Sequence, residues 1–161
     1  MHDIITEYIS AYGYLAIFAV ILLLELGMPG LPNELVLFYF GFISHKAGLS
    51  FPFVISLAIM ADMIGSFLLY LLFYHGKEWL MRIKPAWLPV PVKKITSLKQ
   101  KIIAKNGAPI FLAKLTPFIR GYLPVVAGLL RVNHALYGRV IFCTAIIWTG
   151  GWVTAGWLLQ F

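Results

Sequence analysis

The sequence predicts an all-α integral membrane protein, built as an inverted repeat in which each half pairs a re-entrant helical hairpin with a transmembrane helix. Three observations predict this fold class. Of the 161 residues, 61% are hydrophobic and only 12% are charged, so a water-soluble fold would lack the polar residues needed to cover its surface. Two stretches are continuously apolar over the length of a membrane crossing. Two more are apolar but interrupted by prolines and glycines.

Residues 51–74 and 135–159 are predicted to be the transmembrane helices. A hydrocarbon core of about 30 Å needs about 20 apolar residues in helical conformation, and both stretches exceed that length. The first contains Asp62 as its only charged residue, and the second contains Arg139 as its only charged residue.

The stretches 10–44 and 107–130 are predicted to be re-entrant hairpins. Proline removes a backbone donor and ends a helix, and a break at membrane depth is tolerated only where it is buried in protein or lines a wet cavity. Arms such as residues 35–43 are too short to cross alone. The alternative is that residues 10–44 cross as one or two true helices. The residues predicted to form the breaks are Pro29, Gly30, Pro32, Pro117, Gly121 and Pro124.

Residues 75–106 are predicted to be a basic cytoplasmic linker. They contain eight Lys and Arg residues against one acid, Glu78, and an excess of basic residues marks the cytoplasmic side of a membrane protein. Residues 92–105 form an amphipathic pattern typical of an interfacial helix, which either attracts anionic lipid or only anchors the topology. With this linker inside, the two halves have opposite orientations, and inverted repeats of broken helices are a design that transporters use.

Besides Arg139, near the start of its stretch, the hydrophobic stretches contain the acids Glu25, Glu34 and Asp62 and the bases Lys114 and Arg120. A charge at the bilayer centre costs at least about 2.5 kcal/mol, so each needs a partner or a change of protonation. The two bases are predicted to bind a phosphate or another anionic headgroup. The three acids are predicted to bind and release protons that drive or gate transport. The alternative is a set of structural ion pairs, with acids of one hairpin facing bases of the other.

Other kinds of site have little support. The single cysteine, Cys143, excludes disulfides and cysteine-based metal sites within one chain. The four histidines lack ligand spacing, so neither a metal nor a cofactor is predicted. A net charge of +7 in so hydrophobic a chain is interpreted as affinity for lipid headgroups, and no nucleic-acid partner is predicted. No cleavable signal peptide is expected, because Met1 to Ala11 contains Asp3 and Glu7 instead of a basic run.

An enzymatic activity is not predicted either. Small membrane phosphatases also bind lipid phosphates through Lys and Arg, but they resemble one another in a motif of Lys, six residues and Arg-Pro, followed by a catalytic His. Here five residues separate Lys114 from Arg120, Gly121 follows, and no embedded histidine is near. The sequence also lacks a nucleophile elbow, a phosphate loop and a paired-histidine metal motif.

Taken together, the two broken stretches resemble the DedA family, whose domain (the VTT or SNARE-associated domain) is shared with eukaryotic lipid scramblases of the endoplasmic reticulum. The resemblance covers most of the chain. In the first stretch the matching residues are Glu25, then Pro29-Gly-Leu-Pro-Asn-Glu34, then Gly41. In the second stretch they are Pro117-Phe-Ile-Arg120, Pro124, Ala127-Gly128-Leu129 and Arg131, which look like the family's Arg, Pro, Arg and Ala-Gly signature.

The sequence also departs from the family pattern at several positions. Lys114 stands where the family's first arginine is usual, which keeps the charge but not the bidentate geometry. Asp62 with Gly65 resembles the family's Gly-Asp element, but Ala61 replaces the preceding glycine. Ser66 stands where a tyrosine is usual. The chain therefore resembles a short, divergent bacterial member.

The resemblance implies a multi-pass protein of the bacterial inner (cytoplasmic) membrane that translocates lipids. The substrate would be undecaprenyl phosphate or a phospholipid such as phosphatidylethanolamine, and proton coupling is one option. Membrane lipids would then be the partners, and a homodimer is compatible with so small a transporter although no residue demands it. Two alternatives stay open: a transporter of small solutes or ions that uses the same charges, and a non-transporting membrane scaffold.

Overall fold

The computed structural model describes residues 2–26, 32–76, 107–117 and 119–159, with side chains described from residue 12 onward. All regular structure within these ranges is α-helical, in agreement with the predicted all-α class. The helices are α1 (His2–Glu25), α2 (Asn33–Lys46), α3 (Phe51–His75), α4 (Ala108–Lys114), α5 (Leu123–Leu129) and α6 (His134–Leu158).

The two predicted transmembrane helices correspond to α3 and α6, with bounds that differ by one residue from those predicted. Each has 25 residues and is about 37 Å long at the usual helical rise, which is sufficient for a bilayer. Within the described residues, α3 and α6 are the helices whose length and apolar composition fit a membrane crossing.

The first interrupted stretch forms two helices, α1 and α2, that contact each other. Pro32 precedes α2 with an extended backbone, while Pro29 and Gly30 lie outside the described residues. Helix α2 has 14 residues and is therefore about 21 Å long, too short to cross. Helix α1 has 24 residues and begins at His2, before the predicted stretch, and its length alone would allow a crossing. The re-entrant hairpin of residues 10–44 stays a prediction, and a crossing first helix stays its alternative.

The second interrupted stretch forms α4 and α5, each of seven residues and each about 10 Å long. Pro117 and Gly121 lie in the turn that separates them, whereas Pro124 lies in the first turn of α5, where proline is tolerated. Gly121 has open space around its Cα, so the turn does not require a glycine there for packing. The two short helices contact each other, and their entry into the membrane from one side stays a prediction. The predicted amphipathic helix of residues 92–105 lies outside the described residues.

The chain divides into two compact units, and the boundaries between them fall inside α3 and α6. The first unit comprises residues 1–65 and 145–161. Its core is formed by buried apolar side chains from α1, α2, α3, α6 and the turn after α2, namely Ile17, Ile21, Leu37, Leu49, Val54, Ala58, Ala61 and Val153.

Helices α2 and α6 approach closely within the first unit. A Cβ atom added at Gly156 would overlap the carbonyl of Phe38, and one added at Gly41 would overlap the carbonyl of Val153. Small residues at such crossings let helix backbones touch, which is a common source of helix association in membranes. At one end of this crossing, the Trp157 ring of α6 contacts the His45 ring of α2, with 4.8 Å between the ring centroids.

The second unit comprises residues 66–144. Its centre is a pair of fully buried tyrosines, Tyr70 of α3 and Tyr137 of α6, whose rings stack at 4.3 Å. Gly128 of α5 lies against the backbone of α3, where an added Cβ would come within 2.5 Å of the Tyr70 carbonyl oxygen. The Ala-Gly pair of the second stretch therefore lets α5 dock against α3 without a side chain between them.

Candidate headgroup site and embedded acids

Lys114 is the last residue of α4 and is 1% exposed. Its Nζ donates a hydrogen bond to the Oγ of Ser66 at 2.5 Å, and Ser66 is itself fully buried. The backbone oxygen of Ser66 accepts a hydrogen bond from the Tyr137 hydroxyl at 3.5 Å. A buried ammonium is tolerated only where polar groups receive its protons. The serine of α3 supplies one of those groups in the second unit.

Arg120 lies in the turn between α4 and α5 and is 4% exposed. Its backbone N–H donates to the carbonyl of Thr116 at 3.2 Å, which fixes the turn after Pro117. Its chain neighbours Ile119 and Tyr122 are about half exposed. The turn thus directs apolar side chains outward and the guanidinium inward. This pattern is expected where the surroundings are lipid and the polar interior is a binding site.

Lys114, at the end of α4, and Arg120, in the turn that follows, are thus two buried cations of the second unit. The ammonium is a compact donor of three protons, and the guanidinium can give two parallel hydrogen bonds to one phosphate or carboxylate. The pair has the charge and the donors that an anionic headgroup needs, in an interior where electrostatic interactions are stronger than in water.

Glu25 ends α1 and is 5% exposed. Its Oε1 accepts a hydrogen bond from Nδ2 of Asn33 at 2.6 Å, so the last residue of α1 is joined to the first residue of α2 across the break. Gly65 of α3 lies beside it, where an added Cβ would come within 2.6 Å of the Glu25 Cβ. Gly65, three residues after Asp62, therefore makes room for the embedded glutamate.

Asp62 of α3 is 1% exposed, and its Oδ2 accepts a hydrogen bond from the hydroxyl of Thr149 in α6. Thr149 is fully buried in the same first unit. A hydroxyl can donate to a carboxylate and accept from a carboxylic acid. Thr149 can thus remain hydrogen-bonded to Asp62 in either protonation state.

Replacing Thr149 with valine is expected to lower the free energy of unfolding by about 1–3 kcal/mol. The change keeps the shape of the side chain but leaves a buried carboxylate without one of its donors. Denaturant titration followed by tryptophan fluorescence measures the loss. Thr149→Ser retains the hydroxyl and serves as the control; an equal loss in both variants would mean that packing, not the hydrogen bond, is responsible.

Glu34 lies in the first turn of α2 and is partly buried. An acid in that position is stabilised by the positive end of the helix dipole, so a structural role is available to it besides the predicted exchange of protons. Of the predicted site residues, Glu25 and Asp62 lie buried in the first unit, and Lys114 and Arg120 lie buried in the second. The predicted meeting of these acids with the two bases stays a prediction.

Three side chains that the sequence reasoning did not place in the site contact its ionisable residues: Asn33, Ser66 and Thr149. Two of them carried a signal that could have found them. Ser66 follows Asp62 by four residues and so lies on the same face of α3. Thr149 is a polar residue in the middle of the apolar stretch that forms α6. Asn33 carried no such signal, since residues of this type are common beside prolines in turns.

Among the described residues, no group of three or more His, Cys, Asp and Glu side chains is arranged to hold a metal ion.

Comparison with known proteins decides the family. Residues 31–158 match the VTT domain, a region that includes α2 through α6 with Asp62, Lys114 and Arg120. The chain belongs to the VTT-domain (DedA) family. No solved structure matches this VTT-domain protein.

Several curated proteins are similar to this VTT-domain chain. Undecaprenyl phosphate transporter A of Staphylococcus aureus is 29% identical over 160 residues, which cover 97% of this chain and 78% of that protein. An uncharacterised membrane protein of Mycobacterium leprae is 33% identical over 156 residues, 87% of this chain and 64% of that protein. An alkaline phosphatase-like protein of Lactococcus lactis subsp. cremoris is 24% identical over 160 residues, 92% of this chain and 71% of that protein. The relatives are thus named both as a transporter and as a phosphatase-like protein.

Proposed function

We propose that this VTT-domain protein is a lipid translocase of the bacterial inner membrane, which moves an anionic lipid such as undecaprenyl phosphate or a phospholipid across the bilayer. Lys114 and Arg120 bind the phosphate of the headgroup. Glu25, Glu34 and Asp62 gate the movement or couple it to protons. The name of the Staphylococcus aureus relative supports this class of substrate.

The observation that supports the proposal most strongly is the burial of two cations in the second unit, one at the end of α4 and the other in the turn that follows. Positive charges inside a membrane protein are costly, and such residues usually mark the path of a substrate or ion. A lipid phosphate would bring a negative charge to these side chains, while its acyl or prenyl tails stay in the hydrocarbon outside.

The acids contribute to the proposal through their neutral partners. Glu25 is held by an amide and Asp62 by a hydroxyl, and these groups tolerate both the charged and the protonated carboxyl. Protonation can therefore change the charge of the first unit while these two hydrogen bonds remain. This supports a role for the acids in coupling rather than in binding phosphate.

Transport by the purified full chain in proteoliposomes tests the proposal. Labelled undecaprenyl phosphate, labelled phosphatidylethanolamine and a soluble phosphate or sulfate are offered separately, with protein-free vesicles as the blank. Movement of at least one lipid above the blank is the expected result. Movement of the soluble anion alone would favour the small-solute transporter, and release of inorganic phosphate from the lipid would favour the hydrolysis that the Lactococcus lactis name suggests.

Ser66→Ala is expected to weaken lipid transport about tenfold at limiting substrate. The Ser66 hydroxyl holds the Lys114 ammonium in place, and a hydrogen bond to a charged group contributes about 1.5–3 kcal/mol. The effect should fall on the KM for the lipid more than on kcat, because the substitution loosens a binding group. Initial rates measured over a range of lipid densities give both constants.

Ser66→Thr is the matched variant for this prediction, because threonine keeps the hydroxyl that accepts from Lys114. It should retain most of the transport activity, provided that the protein is folded. Equal losses in the alanine and threonine variants would contradict the positioning role and indicate that only the packing around Tyr137 depends on Ser66.

A further inference from the structure

Four side chains converge on one end of the second unit, where α3 ends and α6 begins. The ring of Tyr74 lies at their centre. The guanidinium carbon of Arg131 is 5.9 Å from its centroid, and the rings of His134 and His75 are 4.4 Å and 5.0 Å away. Arg131, His75 and His134 are all exposed, in contrast to Lys114 and Arg120.

This cluster, the Arg131–Tyr74 cluster, lies at the membrane–water boundary by the geometry of its helices. His75 ends one membrane-crossing helix and His134 begins the other. Such helix ends lie at the depth of the lipid headgroups, where aromatic rings and basic side chains are commonly found. The anions present at that depth are the phosphates of lipids and those dissolved in the adjacent water.

The backbone of Arg131 indicates that its side chain has a role of its own. Arg131 has φ of +51°, the left-handed conformation that favours glycine. It follows α5, and the N–H groups of Arg131 and Val132 donate to the carbonyls of Gly128 and Ala127 at 2.9 and 3.1 Å, the Schellman arrangement in which glycine is usual. Strained residues of this kind tend to occur at functional sites. Here an arginine occupies a position for which glycine would be the less strained choice.

His134 of α6 is a further member of the cluster. Its Nδ1 lies 2.8 Å from the Tyr70 hydroxyl, which also contacts the carbonyl of Val132 at 2.5 Å. Tyr70 and Tyr74 of α3 are the side chains in contact with His134, while Arg131 and His75 contact the same Tyr74 ring. An imidazole N–H can donate to an anion's oxygen, so His134 offers a second hydrogen-bonding group beside Arg131.

We propose that the Arg131–Tyr74 cluster is a second anion site, separate from Lys114 and Arg120, which binds the phosphate of an anionic lipid headgroup at the membrane surface. Arg131 is the cation and the main donor, and His134 offers a further ring nitrogen. The aromatic ring of Tyr74 contacts both side chains and holds the guanidinium in place.

Binding of phosphatidylglycerol to the detergent-solubilised full chain, counted by native mass spectrometry, tests the proposal. This lipid is a phosphodiester with one charge throughout the relevant pH range, and phosphatidylcholine is the neutral comparison. Arg131→Gly is the decisive variant, because glycine suits the backbone and the protein should unfold at an equal or higher temperature. Lys46→Ala is the matched control, because Lys46 is also an exposed cation, 4.5 Å from an aromatic ring.

We expect Arg131→Gly to weaken phosphatidylglycerol binding about tenfold, with phosphatidylcholine binding and Lys46→Ala unchanged. Displacement of the lipid by inorganic phosphate would show that the site also takes a soluble anion, and its failure would restrict the site to lipid. Phosphatidylglycerol binding by Arg131→Gly equal to wild type would overturn the proposal. Because binding is measured without transport, this outcome is independent of the proposed translocation.

Discussion

Replacement of Arg120 with alanine is expected to reduce the initial rate of lipid translocation at limiting substrate by at least about thirtyfold. The side chain is 4% exposed in a turn where Ile119 and Tyr122 are about half exposed, so the guanidinium acts inside the protein. Removing one partner of a buried charged contact costs about 2–5 kcal/mol, and each 1.4 kcal/mol corresponds to about tenfold. Rates in proteoliposomes with equal amounts of incorporated protein measure the loss.

Two further variants separate binding from general charge effects. Arg120→Lys keeps the positive charge but not the bidentate geometry, so it should retain intermediate activity. Arg139→Ala removes an exposed positive charge from α6 and should transport as wild type does. A thirtyfold loss in Arg139→Ala would show that net charge, not the buried site, controls transport. Tryptophan fluorescence during thermal unfolding confirms that each variant is folded.

Gly156→Ala is expected to destabilise the protein, by about 1–3 kcal/mol or more. A Cβ atom at this position would overlap the carbonyl oxygen of Phe38 and crowd the amide of Phe42 in α2. Backbone atoms within a helix cannot move aside as a flexible side chain can, so α2 must shift as a whole. Unfolding in denaturant, followed through the nearby tryptophans of α6, measures the change in free energy.

Gly151→Ala in the same helix should have the opposite effect. Nothing lies within 4 Å of a Cβ added there, and alanine in a helix interior is favoured over glycine by about 0.5–1 kcal/mol. The two substitutions add the same methyl group, so their difference isolates the close approach of α2 and α6. Destabilisation by both, or by neither, would contradict this account of the crossing.

The two long helices could be predicted because twenty or more apolar residues leave few alternatives in lipid. The bounds of α3 and α6 differ by only one residue from those predicted, and the end of α4 at Lys114 agrees with the break that the prolines imply. The start of α1 was not predicted, because Asp3 and Glu7 interrupt the apolar stretch at its N-terminal end. A helical signal was nevertheless present, since Ile4, Ile5, Tyr8 and Ile9 recur at the spacing of one helix face.

The ionisable residues of the site could be found from the sequence because charges in apolar stretches are rare and conspicuous. Their partners were harder to find, since Ser66 and Thr149 are ordinary polar residues until the helices bring them beside Lys114 and Asp62. The packing role of Gly128 was also hard to predict from the sequence. Its place in an Ala-Gly pair indicates a signature, but only the packing of α5 against the Tyr70 backbone explains why a side chain is excluded.

The left-handed conformation of Arg131 had no sequence signal at all. Arginine at the end of a short helix is common, because a positive charge suits the negative end of the helix dipole. The strain becomes evident only from the φ angle. The same conformation at Gly107 and Gly48 could be expected from residue type, since glycine adopts it at little cost.

Competition for translocation tests the central claim, that buried cations bind a lipid phosphate, more directly than any substitution does. Labelled undecaprenyl phosphate is moved by wild-type protein in vesicles that contain excess unlabelled undecaprenyl phosphate or excess undecaprenol, which has the same tail without the phosphate. We expect that only the phosphate-bearing lipid slows the labelled one. Equal inhibition by undecaprenol, or no protein-dependent movement of either undecaprenyl phosphate or phosphatidylethanolamine, would contradict the claim.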